Sequence, residues 1–372
     1  MAQGLIGERK RQNGLAKGEI AERNPRSITN FRVDESSKGR LECSCEAFRC
    51  IAGAVRCISQ AAAAARADHP RMRKHLTVLL LLLAVPALAA SPRDSMIVSA
   101  AWLRAHLNDP NLVLLHVGDK AEYDAKHIPG AVYAGMKDIS VSDHTGKGLM
   151  LEMPPAEELK KDLEALGISD ASRVVVYYGK DWISPSTRIL FTLDYAGLGG
   201  HASLLDGGMP AWIEAGNDTT SAVPAAKKGS LSPLQLKPLV VDAEYVKSHL
   251  HAPGIAIVDG RDAIFYDGVD TGSGHAGKHR SGHIAGAHSF PFTQLVDDKN
   301  HVRSNEDLAA LFAKAGVKPN DTVVGYCHIG QQATAMLFAA RALGHPVLLY
   351  DGSFEDWSRH DGYPVDNPTE KK

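Results

Sequence analysis

The chain has 372 residues, 44% hydrophobic and 23% charged, a soluble globular composition with length for two domains. Its formal charge of −2 hides an asymmetry: the 15 Lys+Arg and 8 Asp+Glu of residues 1–89 leave 26 and 35 for residues 90–372, a net of −9. A body that acidic argues against general nucleic-acid binding, and any anion must be handled in a local pocket.

Residues 1–71 have no sustained apolar period and carry an "AAAAARA" tract. They read as disordered or as a mis-assigned extension. Cys43, Cys45, Cys50 and Cys57 lack the paired C-x2-C knuckles of common zinc sites, so no metal is expected there. From Met72 the pattern changes. Arg73 and Lys74 precede an apolar run from Leu76 to Val85, then Ala87-Leu88-Ala89 offers an A-x-A cleavage signature. Residues 72–89 are therefore expected to be a secretory signal peptide, with Met72 the true start. A periplasmic or secreted protein follows, with no stable membrane insertion after cleavage. That mature chain keeps one cysteine, Cys327, and cannot form an internal disulfide. An unpaired thiol in an oxidising compartment is either reactive or an inert core residue.

The rest of the chain is a tandem repeat. In the first half (residues 96–222), "SAAWLRAHL", "KHIPGAVY", "SRVVVYY" and "ASLLDGGMPAWIEAG" follow one another. The second half (residues 236–366) answers in the same order with "VDAEYVKSHL", "GHIAGAHS", "DTVVGYC" and "VLLYDGSFEDWSRHDG". Between them, residues 217–233 are rich in small and polar residues and read as a linker. In the second half "GIAIVDG" is a strand entering a turn. "SNEDLAALFAKAG" is a helix capped by Ser304 and stopped by Gly316, "DTVVGYC" a buried strand, "QATAMLFAARALG" a helix ending at Gly344, and "PVLLYDG" a further strand. Strand–helix alternation gives an α/β fold, each half a mainly parallel sheet flanked by helices. Sites in such sheets form at the carboxyl ends of strands, where Cys327 stands.

The helix after Cys327 is apolar nearly all round and should be fixed inside the domain. The loop "CHIGQQ" would then aim its N–H groups inward, with Gly330 allowing a tight curl and the helix dipole adding positive potential. Such a cradle lowers a thiol's pKa and stabilises an anionic sulfur.

With "HIPGA", "HIAGA", "DGR" at 259–261, "CHIGQQAT", "DGGMPAW" and "DGSFEDW" in place, both halves resemble rhodanese domains over about residues 96–366. The whole resembles a tandem thiosulfate or 3-mercaptopyruvate sulfurtransferase. The resemblance implies that Cys327 takes the outer sulfur of thiosulfate, releases sulfite, and passes the persulfide sulfur to a thiol, cyanide or a protein acceptor. It implies no cofactor. The backbone N–H groups of His328, Ile329, Gly330, Gln331, Gln332 and Ala333 would bind the substrate and the persulfide. Arg261 would either hold its turn through Asp259 or meet an anionic substrate. Two departures bear on the donor. The loop has His328 as its one candidate cation, and Phe265 replaces a second substrate-binding Arg. Lys278, His279 and Arg280 are candidates to restore positive charge. Thiosulfate is the expected donor, 3-mercaptopyruvate the alternative, and a non-turnover sulfur relay a third reading.

The first half is expected to lack catalysis. Tyr178 falls where Cys327 lies, His116 and Gly118 where Asp259 and Arg261 stand, and its loop reads as longer. A Cys-dependent phosphatase would need C-x5-R, and Ala333 occupies the position where an Arg would be sought. His275, His279 and His283 lie four apart, but in a stretch too glycine-rich for a helix, so no metal site is expected. Trp212 and Trp357 are expected to pack rather than to stack on ligand.

Overall fold

A computed structural model describes residues 91–370 except Gly146, Asp181, Trp182, Ala226 and residues 273–279. The described residues lie in one compact unit spanning Ala87–Lys372. The extension, the signal peptide, the four early cysteines, and His275, Lys278 and His279 fall outside the described residues.

Each half builds a five-stranded sheet. The first joins β1 (Ile97–Val98), β2 (Leu112–Val117), β3 (Val132–Tyr133), β4 (Arg173–Tyr178) and β5 (Ala202–Leu205) in the order β1-β5-β4-β2-β3. The second joins β6 (Val240–Val241), β7 (Ile255–Asp259), β9 (His288–Ser289), β10 (Thr322–Tyr326) and β11 (Val347–Tyr350) in the equivalent order β6-β11-β10-β7-β9. β8 (His283–Ile284), between β7 and β9 in sequence, pairs antiparallel with β12 (Val365–Asp366), which follows β11. Every pairing within the two large sheets is parallel. The central strands are near-continuous apolar runs because both faces of a parallel sheet are covered. Alternate side chains go to opposite faces. Leu115, Val176, Val258 and Val323 enter a core common to both halves. Leu114, Val175 and Trp212 line the outer face of the first sheet, and Ile257, Val324 and Trp357 that of the second.

The helices that matter here are α1 (Lys120–Ala125), α2 (Ser184–Tyr195), α3 (Gly208–Glu214), α4 (Ala263–Tyr266), α5 (Asn305–Lys314), α6 (Ala333–Ala342) and α7 (Ser353–Trp357). Ser304 caps α5 by accepting from the Asp307 N–H, and Gly316 follows its end at φ +91°. α2 and α6 follow equivalent strands and pack against each other in the middle of the molecule. From Tyr178 to the start of α2 is the same number of residues as from Cys327 to the start of α6, so the first-half loop is not longer. Among the described residues, no helix is long and apolar enough to cross a membrane.

The halves brace each other reciprocally. Each has a loop closed by an antiparallel bridge, Val141 with Glu152 and Val296 with Val302. Each loop is held by the aspartate of the other half's D-G turn. Asp351 Oδ2 accepts from the Met153 N–H at 2.7 Å, and Asp206 Oδ1 from the Val302 N–H at 2.9 Å.

The repeated motifs are architectural. His127 Nδ1 lies 2.7 Å from the Tyr123 carbonyl and His283 Nδ1 2.7 Å from that of Tyr266. The N–H groups of Ile128 and Ile284 donate to the hydroxyls of Tyr177 and Tyr326. Trp212 and Trp357 are buried, with indole N–H groups on the carbonyls of Asp218 and Pro364. The shared tyrosine contact makes Tyr177 equivalent to Tyr326, and therefore Tyr178 to Cys327. Strand register agrees: Tyr177 pairs with His116 and Tyr326 with Asp259.

Candidate active site

Cys327 follows the last residue of β10 and is a free, fully buried thiol. Both its peptide groups are fixed by the turn into α7. Its N–H donates to Ser353 Oγ at 3.2 Å, and its carbonyl accepts from the Phe354 N–H at 3.0 Å. The next carbonyl, of His328, accepts from the Glu355 N–H at 3.0 Å. Ser353 does this from a left-handed conformation, φ +52°, where the first half has Gly208 at φ +55°. A serine there is strained, and it persists because its hydroxyl is engaged on both sides, donating onward to the Tyr350 carbonyl.

With those carbonyls tied back, the N–H groups turn the other way. Among the described residues, the backbone N–H groups of Ile329, Gly330, Gln331, Gln332 and Ala333 donate to no backbone carbonyl and no side chain. Buried amides are almost always paired, so a run of unsatisfied donors beside a thiol is an anion cradle. It sits at the N-terminus of the ten-residue α6. Gly330, at φ +82°, is needed both for its conformation and for space, because a Cβ would lie 2.7 Å from the Asp351 carbonyl oxygen.

Of the two arrangements left open for Arg261, the structure has the one with Asp259. Nε and Nη2 reach the carboxylate at 3.0, 3.1 and 2.6 Å, and Nη2 also donates to the Gly282 carbonyl at 2.8 Å. The guanidinium is fully buried and stacks over Phe354, 4.1 Å from the ring centre. Burial opposes its charge, but Asp259, with smaller help from Tyr326 and Cys327, holds its pKa above the ordinary value. Arg261 Nε and Nη2 are thus committed to Asp259 and to the Gly282 carbonyl. His328 is likewise buried, its ring edge-on to Phe265 at 4.6 Å between centres. Arg280 does not supply charge to the loop either: its guanidinium donates to the carbonyls of Trp357 and Tyr363 at 2.9 and 2.8 Å. The described positive character of the cradle therefore comes from backbone dipoles rather than from exposed cations.

The loop is also gripped from the first half, by residues the sequence did not single out. Ser184 Oγ accepts from Gln331 Nε2 at 3.2 Å. Thr187 Oγ1 lies 3.0 Å from Thr334 Oγ1. Arg188 Nη1 donates to the Gly330 carbonyl at 2.9 Å and to Asp351 Oδ1 at 2.7 Å. Asp351 stands in a repeated D-G turn, which is the one trace of this arrangement in the sequence.

The equivalent place in the first half is differently built. Tyr178, in the cysteine's position, is buried and donates its hydroxyl to the Asn300 carbonyl of the second half. Glu122, equivalent to Phe265, places a carboxylate over the loop, accepting from the Lys180 N–H at 3.2 Å and pairing with Lys180 Nζ at 2.9 Å. His116 is buried with no partner on either ring nitrogen among the described residues, and burial, then His127, lowers its pKa from 6.5 to about 4. Neither nucleophile nor Asp–Arg turn remains there.

The rhodanese-like domain family matches twice, over residues 99–215 and 242–360. The chain is 31% identical over 280 residues to the thiosulfate sulfurtransferase of Pseudomonas aeruginosa, covering 73% of this chain and 97% of that one. It is 30% identical over 284 residues to the sulfur carrier protein TtuD of Thermus thermophilus, covering 73% of this chain and 96% of the other. Among solved structures, YnjE superposes with a TM-score of 0.66 at 24% identity, over 75% of this chain and 70% of that chain.

Proposed function

Since this chain belongs to the rhodanese-like family and carries its domain twice, we propose that it is a thiosulfate sulfurtransferase acting through a persulfide on Cys327. The Cys327 thiolate attacks the outer sulfur of thiosulfate. The sulfur–sulfur bond breaks and its electron pair leaves with sulfite. The terminal sulfur of the resulting persulfide is then attacked by cyanide or a thiolate, which returns the thiolate of Cys327. One observation carries this reading: five consecutive N–H groups, Ile329 to Ala333, without an acceptor among the described residues, beside the free thiol. They would stabilise the thiolate before loading and the persulfide after it. The named activity of the Pseudomonas relative supports thiosulfate as donor. The half with Tyr178 carries out no transfer.

A carrier role is the second reading, favoured by the likeness to a sulfur carrier protein. There Cys327 would hold its sulfur until a protein acceptor removes it. The segment from Met72 to Ala89 supports export, with the acidic body working outside the cytoplasm. N-terminal sequencing of the mature protein tests this; a start well before Ala90 would count against it.

The deciding experiment is the intact mass after incubation with thiosulfate and, separately, with 3-mercaptopyruvate. One added sulfur atom from thiosulfate, absent in Cys327→Ser, is the expected result. Loading by 3-mercaptopyruvate alone would change the donor. A persulfide that survives cyanide and small thiols but discharges to a protein would favour the carrier.

A further inference from the structure

We propose that Arg188, on a helix of the half without a nucleophile, is a positioning residue of the sulfur-transfer site, holding the Gly330 carbonyl so that the Gln331 N–H is aimed into the Cys327 loop. The argument begins with the peptide plane. In a trans peptide, the carbonyl of one residue and the N–H of the next point in opposite directions. Arg188 Nη1 takes the Gly330 carbonyl at 2.9 Å from the side of the first half. The Gln331 N–H therefore points away from that half, into the turn that starts at Cys327, and it has no protein acceptor among the described residues. Without a grip on the Gly330 carbonyl, this peptide can rotate and take its donor out of the cradle.

Arg188 is suited to this by its own constraints. It is fully buried, and Nη1 bridges the Gly330 carbonyl and Asp351 Oδ1 while Nη2 donates to the Leu151 carbonyl. Two of these three partners belong to the catalytic half. Asp351 is itself fixed, its other oxygen accepting from the Met153 N–H. The guanidinium thus sits in a rigid socket and presents one N–H to one carbonyl. Ser184, Thr187 and Arg188 are spaced i, i+3, i+4 and lie on one face of α2, and each touches the segment from Gly330 to Thr334. An ammonium could keep the attraction to Asp351 but could not hold three acceptors in a fixed fork.

The inference rests on the persulfide reading only in supposing that the loop stabilises anionic sulfur. The test uses the full chain bearing Arg188→Ala or Arg188→Lys. Three quantities are measured: the pH profile of Cys327 alkylation by iodoacetamide, the rate of sulfur loading from thiosulfate by intact mass, and the melting temperature. In Arg188→Ala, alkylation at neutral pH should slow roughly tenfold, its profile should move to higher pH, and loading should slow at least as much. Arg188→Lys should recover melting temperature but not the profile. A lower melting temperature with unchanged profile and loading would make Arg188 a structural strut and overturn the proposal. If Arg188→Ala does not fold, Arg188→Lys decides, since an unshifted profile there has the same meaning. If the unaltered protein takes no sulfur from any donor, the persulfide reading fails, while the alkylation profiles still decide the role of Arg188.

Discussion

Asp259 and Arg261 neutralise each other under the cysteine, and neither is exposed. Such a pair adds little net stability against an apolar replacement, but removing one partner leaves an uncompensated buried charge. Asp259→Ala should therefore lower stability by about 3–5 kcal/mol, read from urea unfolding; a loss under about 1 kcal/mol would mean that Arg261 finds another acceptor or water. Glu152 gives a pH-dependent effect of opposite origin. Burial first, and the neighbouring Asp351 carboxylate second, raise its pKa from 4.5 to about 8. Between those values the folded protein holds a proton that the unfolded chain has released. Stability from this residue is therefore greatest below about pH 4.5 and declines as pH rises toward 8. Glu152→Gln should flatten the fall in melting temperature across that window, and an unchanged slope would assign it to other groups.

The strand–loop–helix around Cys327 was legible because its parts are local. The apolar run of β10, the lone cysteine, Gly330 and the apolar α6 are contiguous in sequence, and each has a mechanism of its own. The cap of α5 was legible for the same reason, and Ser304→Ala should cost about 1 kcal/mol in chemical unfolding without affecting sulfur loading. What escaped was the grip on the loop. Arg188 meets Gly330 and Asp351 across 142 and 163 residues, from the half that carries no cysteine, and such a long-range contact leaves no local pattern. Ser353 escaped because a left-handed serine has no sequence signature beyond standing where the repeat has glycine. The first-half loop read as longer because sequence alone does not fix where α2 starts. The cationic role considered for Arg280 failed because carbonyls of the α7 turn and its exit claim the guanidinium.

The largest apolar core takes side chains from both sheets, from Leu115 and Val176 on one to Val258 and Val323 on the other, with α2 and α6 between them. An interface continuous with a core does not behave as a hinge between independent domains. The protein should therefore melt in a single transition by calorimetry, with calorimetric and van't Hoff enthalpies equal. Two separated transitions would show that the halves fold as separate units. The half without a cysteine then contributes to the stability of the whole, and its repeated motifs serve packing. His127 Nδ1, the Ile128 N–H to Tyr177 and the Trp212 indole N–H make hydrogen bonds equivalent to those of His283, Ile284 with Tyr326, and Trp357 in the second half.

The reciprocal bracing, in which Asp206 holds Val302 and Asp351 holds Met153, has the grammar of an isologous dimer written into one chain. In a true dimer of identical subunits, one substitution strikes both sites at once. Fusion removes that coupling. Tyr178 can stand in one copy where the other has its thiol, and there it props its neighbour through the Asn300 carbonyl. A division of labour between a working copy and a supporting copy is therefore a freedom that the covalent link confers.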